Sequence, residues 1–200
     1  MIKWMKKGIS LGLCGLILVY CVGLWQEHGY LEDHLLRLHV IANSDSAADQ
    51  SVKLQVRDAV AECLGTDLSE FSDLESAMDY VRSRLPELEA AANGVLKTAG
   101  TGMTAVVQLV REAFPRRDYE NFSLPAGQYE ALRIIIGEGQ GQNWWCVVFP
   151  TLCAPREDFA AAAEAAGMPE TLTETLEQPG PRFFLLDLLG RAKNWISGRP

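Results

Sequence analysis

Between Leu35 and Arg57 the hydrophobic period changes from two to nearly four, which commits this chain to strands as well as helices. Leu36, Leu38 and Val40 alternate with Arg37 and His39, the pattern of a strand with two distinct faces. Asn43-Ser44-Asp45-Ser46 then supplies four residues that bond readily to nearby backbone. Ser46 and Asp49 have the spacing of a capping box, with Asp in place of Glu, so a helix is predicted to start near Ala47. On it Val52, Val56, Val60 and Cys63 form an apolar stripe, while Asp49, Lys53 and Arg57 form an acid-to-base ladder on another face. Folded this way, the turn would gather His39, Asn43, Asp45, Asp49 and Arg57. Two explanations are open. The polar residues shape and cap the turn, with ladder pairs contributing only ~0.3–0.5 kcal/mol each; or they form a recognition surface or catalytic corner at the end of a strand.

Beyond Gly65, Ser72 and Glu75 read as a second capping box, followed by an apolar face of Leu74, Met78, Val81, Leu85, Leu88, Ala92 and Leu96. Pro86 predicts a kink or a division into two helical pieces. From Met103 the pattern turns to β: strands are expected over residues 103–114, 119–124, 128–136 and 143–149. Gly137-Glu138-Gly139-Gln140-Gly141 reads as a hairpin connection and not as a nucleotide fingerprint, because a strand and not a helix follows it. Trp144 and Trp145 must face opposite ways, so one can enter the core while the other meets a helix or a partner. Two helices are expected at the end, residues 155–168 and 182–197, the latter too short and too charged to span a membrane. The fold class is therefore α+β, a mixed or antiparallel sheet of four to five strands covered by helices, after an N-terminal hydrophobic helix.

That first helix begins with three lysines and no acid in residues 1–7, followed by an uncharged run from Gly8 to Trp25. Eighteen helical residues reach ~27 Å, enough for a bilayer core, with the basic end held in the cytoplasm. Residues 1–29 are read as a signal peptide or signal anchor, and residues 30–200 as one exported domain. Without the first 25 residues the chain loses three lysines and no acid, leaving 15 basic and 26 acidic residues and a net charge of −11. Such a domain has no basic field for nucleic acid. Cys146 and Cys153 flank Pro150 in an oxidising space, so a bridge worth ~2.5 kcal/mol is expected, with two buried thiols as the alternative. Neither a metal nor a cofactor is expected, since the cysteines have no matching histidine pair.

Two segments carry a resemblance. His39-Val40-Ile41-Ala42-Asn43-Ser44-Asp45-Ser46, then Asp49-Gln50 and Lys53 to Val60, resembles the N-terminal signature of the stage II sporulation protein R family of endospore-forming bacteria. Asn143-Trp144-Trp145-Cys146-Val147-Val148-Phe149-Pro150-Thr151-Leu152-Cys153 resembles that family's second hallmark. The resemblance implies a protein made in the forespore and exported into the intermembrane space, where it activates a membrane-embedded aspartic protease that processes a sigma-factor precursor. It implies a ligand and not an enzyme, with His39, Asn43, Ser44, Asp45, Asp49, Gln50, Lys53 and Arg57 as the contact surface, joined by Trp144 or Trp145. The competing reading is an exported hydrolase using His39 with Asp45 or Asp49. Against it, the sequence shows no nucleophile elbow and no paired-histidine metal motif.

Overall fold

A computed structural model describes residues 2–65, 68, 71–150 and 159–198. Helix α1 (Ile2–His34) leads into strand β1 (Leu36–Ile41); helices α2 (Ala47–Leu64) and α3 (Leu74–Thr98) follow. Strands β2 (Ala105–Phe114), β3 (Arg117–Asp118), β4 (Ser123–Leu124), β5 (Gly127–Ile136) and β6 (Asn143–Phe149) precede helices α4 (Phe159–Ala165), α5 (Glu170–Glu177) and α6 (Pro181–Ile196). The architecture is α+β, as expected. The four-stranded sheet has the order β2-β5-β1-β6, with β1 parallel to β5 and antiparallel to β6. Residues 119–124, expected to extend the sheet, instead turn back so that β4 pairs with β3 in a separate two-stranded ladder.

Each strand face has its own core. Leu36, Leu38 and Val40 of β1 pack with Leu132 and Ile134 of β5 against Val56 and Val60 of α2 and Val81, Leu88 and Leu96 of α3. The intervening residues point to a second layer, where Phe114, Tyr129, Ala131 and Val147 meet Leu24 and Leu31 of α1, Leu172 and Leu176 of α5 and Phe183 and Leu186 of α6. A central strand buried on both faces is what a sandwiched sheet requires, and it explains why Arg37, though charged, is fully buried. Arg37 Nε donates to the Cys146 carbonyl at 3.0 Å, Nη2 donates to the Tyr119 hydroxyl at 2.7 Å, and the guanidinium lies over the Phe114 and Tyr129 rings.

Several local expectations change. Helix α3 runs unbroken through Pro86, which sits on its exposed side where the missing N–H leaves a carbonyl open to water. Its cap is Asp73, which accepts from Ser76 N, and not Ser72. Ser46 does cap α2, accepting from Asp49 N at 3.1 Å. The C-terminal region holds three helices among the described residues, α5 being unforeseen; residues 155–158 lie outside the described residues.

Helix α1 is long and apolar enough from Ile9 onward to cross a membrane. It continues without interruption across the boundary expected at residue 29. Leu24, His28, Leu31 and Glu32 are buried in the domain. His28 Nε2 lies 2.8 Å from the Ala126 carbonyl, Lys193 Nζ donates to Glu32 at 2.7 Å, and Glu32 accepts from Gln128 N at 2.8 Å. His28, inside the segment expected to be a signal peptide or anchor, thus helps to join α1 to α6 and the start of β5.

Candidate functional site

The signature residues separate into three places, and the β1–α2 turn is the first. Because β5 and β6 lie on opposite sides of β1, the glycine-rich segment between them is not a hairpin; it must cross over the end of β1. The turn clasps it as it passes. Asn43 Oδ1 accepts from Glu138 N at 3.0 Å, the Ala42 and Asn43 carbonyls accept from Gly141 N and Gln140 N, and Asp45 Oδ1 accepts from Gln142 N at 2.7 Å. Lys53 Nζ donates to the Gln142 carbonyl at 3.0 Å and to Gln50 Oε1 at 2.7 Å, while Gln50 Nε2 donates to the Ser44 carbonyl. The fit leaves no room for a side chain at Gly141, where a Cβ would meet Ser44 O at 2.3 Å.

Within the clasp, Asp49 Oδ2 accepts from the Ser44 hydroxyl at 2.6 Å and from Asn43 Nδ2 at 2.9 Å, and these bonds hold its carboxyl below the usual aspartate range. Lys53 is buried, and burial lowers its ammonium below the usual lysine value. The expected ladder therefore does not form: Asp49 faces Asn43 and Ser44, Lys53 faces Gln142, and Arg57 pairs with Asp58 at 2.6 Å. Asp45 has a structural duty of its own, since it holds a backbone N–H of the crossing loop.

The second place is on the α2 side of the sheet. Trp144 is partly exposed, and the Arg57 guanidinium stacks over its ring at 4.4 Å. Arg57 and Trp144, from opposite ends of the chain's two hallmarks, thus form one surface feature.

His39 occupies the third place, on the other face, far from the company expected for it. Its ring stacks on Trp145 at 3.7 Å, since the two residues are direct cross-strand partners. Its acidic partner is Glu112 of β2, not Asp45 or Asp49: Nδ1 donates to Glu112 Oε1 at 2.8 Å, and Glu112 Oε2 accepts from Arg133 at 3.2 Å. With its amide oxygen turned toward Arg133, Gln108 extends this polar row across the sheet. The row is possible because helix cover on this face stops short. Helices α1, α5 and α6 cover the half around Phe114 and Val147, while His39 and Glu112 line an open groove of about 1280 Å³. Among the described residues, no serine, threonine or cysteine lines this groove. The expected pairing of His39 with Asp45 or Asp49 does not form, since Glu112 takes that place.

Sequence reasoning missed Glu112 and Arg117. Glu112 was visible as an acid in a valine-rich strand, but its pairing with His39 depends on β5 lying between β1 and β2. Arg117 stacks over the Trp145 ring at 5.3 Å. The cysteines divide as follows: Cys14, Cys21 and Cys63 are free, Cys146 is not among them, and Cys153 lies outside the described residues. No group of metal-ligating side chains occurs among the described residues.

No solved structure matches the chain. Stage II sporulation protein R of Bacillus subtilis (strain 168) is 41% identical over 123 residues, which cover 62% of this chain and 55% of that protein, so the match spans just over half of the relative's length. Residues 32–158, most of the described fold from the end of α1 through the last strand, match the family described as Stage II sporulation protein R, and the chain belongs to that family.

Proposed function

We propose that this chain is an exported sporulation signal that activates a membrane-embedded aspartic protease across the intermembrane space, leading to processing of a mother-cell sigma-factor precursor. The family match over residues 32–158 carries the reading, because it includes both hallmark segments. Three features support it. The apolar helix α1 has the length for a membrane segment, used as a signal peptide or as an anchor. The domain is acidic and offers its partner a defined polar and aromatic surface, Arg57 with Trp144 on one side and His39 with Trp145 on the other. The crossing loop is fixed by the clasp, which keeps both tryptophans in register with β1. In this reading the protein is a ligand and not an enzyme, and Asn43, Ser44, Asp45, Asp49, Gln50 and Lys53 hold the recognition surface in shape as well as bordering it. A Cys146–Cys153 bridge would fasten the end of β6 in the oxidising space.

The test is complementation in a sporulating host lacking its own copy, with the full chain expressed in the forespore. Processing of the precursor is expected only when residues 1–25 are present. Processing without them, or no processing with the intact exported chain, would refute the proposal.

A further inference from the structure

We infer that the groove over the uncovered half of the sheet binds an acidic segment of a partner protein, with a carboxylate held by Arg117 beside Trp145 and His39. This rests on the signalling reading for the partner's identity and on the groove itself for the chemistry.

Three side chains that line the groove carry shielded polar atoms without a hydrogen-bond partner: His39 Nε2, Trp145 Nε1 and Arg117 Nε. Buried polar groups are ordinarily satisfied, so three orphans on one groove mark a place where the fold is incomplete by itself. His39 is 5% exposed, and its Nδ1 is engaged by Glu112, which leaves Nε2 as the ring's remaining polar atom. Trp145 Nε1 and Arg117 Nε can only donate, so they require an acceptor. Arg117 has no acid within ion-pair distance among the described residues, whereas its neighbours Arg116 and Arg191 are paired with Asp118 and Asp187. Its long side chain lies on the Trp145 face, with the guanidinium 5.3 Å from the ring centre, so the two unpaired donors are side by side.

Charge and shape narrow the occupant. Of the charged side chains that line the groove, Arg116 and Arg191 are paired with acids and Glu112 is engaged by His39 and Arg133, which leaves Arg117 as the positive charge without an acidic partner among the described residues, in a chain of net charge −8. An acceptor that also carries negative charge satisfies both requirements, and a carboxylate does so with charge-assisted bonds to a guanidinium. The groove is open, and its volume of about 1280 Å³ exceeds the ~300–1,000 Å³ usual for small-molecule pockets. Ile41 and Trp195 add apolar wall beside the charged centre, suiting a peptide that alternates acidic and apolar side chains.

The experiment uses the full chain in detergent micelles with a capped decapeptide of alternating aspartate and leucine, and a second in which asparagine replaces aspartate. The Trp145 indole N–H resonance, assigned with Trp145→Phe, is followed by NMR. The aspartate peptide is expected to shift that resonance and to bind at least about tenfold more tightly than the asparagine peptide. Arg117→Gln should weaken it about tenfold and Arg117→Lys much less, with the Trp144 indole unmoved as a control on folding. Equal binding of both peptides, or unchanged binding by Arg117→Gln, overturns the inference. So does a shift of the Trp145 indole by phosphatidylglycerol vesicles but not by the aspartate peptide, which would make the groove a lipid site. If Arg117→Gln loses the peptide yet supports normal precursor processing, the groove is not the partner's docking site while the signalling role stands. If the intact chain supports no processing, the signalling role fails independently of the peptide result.

Discussion

The two faces of one sheet use the same strands for different ends. On the α2–α3 face the inward residues of β1, Leu36, Leu38 and Val40, are all aliphatic and buried beneath two helices. On the opposite face the inward residues of β1 are Arg37, His39 and Ile41, and the helices cover only the half around Arg37. Arg37 is consequently sealed into hydrogen bonds and ring contacts, whereas His39, one pleat further on, opens onto a groove. Strand alternation alone makes such a division possible: a fold can be secured by one side chain and its neighbour left for recognition.

The largest effect expected from disturbing this contrast lies on the covered face. Leu88→Ala, fully buried between α3 and the sheet, should cost ~2–5 kcal/mol by lost burial and the cavity left behind, measured by chemical denaturation. Loss of signalling should follow the loss of folded protein. Next comes the clasp. Asn43→Ala removes the acceptor for Glu138 N and a donor to Asp49, and should cost ~1–3 kcal/mol while loosening the crossing loop; hydrogen exchange at residues 138–142 should rise first.

Arg57→Ala should change stability by at most ~1 kcal/mol, because the ion pair with Asp58 is largely exposed and the stack on Trp144 is at the surface. If the Arg57–Trp144 surface is touched by the partner, precursor processing should fall well beyond that small loss. Asp45→Ala is a poorer probe, since it also frees the Gln142 N–H.

The smallest effect is an acid dependence. The Asp49 carboxyl is held below the usual range, so the stability it contributes is present above the unfolded-state pKa and is lost as pH falls through the lowered folded-state value. Denaturation midpoints across the acid range should therefore decline, and in Asn43→Ala, which lacks one bond to this carboxylate, the decline linked to Asp49 should be shallower. An unchanged acid profile in that variant would remove Asp49 from the clasp's energetics.

Much of this fold was legible in advance because local chemistry governs it. The alternation of β1, the Ser46 cap, the stripe of α2 and the opposed tryptophans all follow from spacing a few residues long. What could not be read depends on strand order. Placing β1 between β5 and β6 turned an apparent hairpin into a crossing loop, and with it turned Asn43 and Asp45 from surface residues into a clasp. The same order brought Glu112 to His39 across β5, a pairing separated by 73 positions in the chain. The α3 proline misled because a break in the pattern was weighed without its place on the exposed side. Helix α1 misled in another way: its apolar length was recognised, but the burial of His28 and Glu32 depends on α6, at the far end of the sequence.

The central claim is that the covered face makes the protein fold and the open half-face makes it signal. Arg117→Gln tests this most directly, with thermal unfolding of the purified chain and precursor processing in a sporulating host measured on the same variant. The account predicts a Tm within about 2 °C of the unsubstituted protein, as for a substitution outside the core, together with processing reduced about tenfold or more. Processing at the unsubstituted level, or a decline no larger than the loss of folded protein, would contradict it.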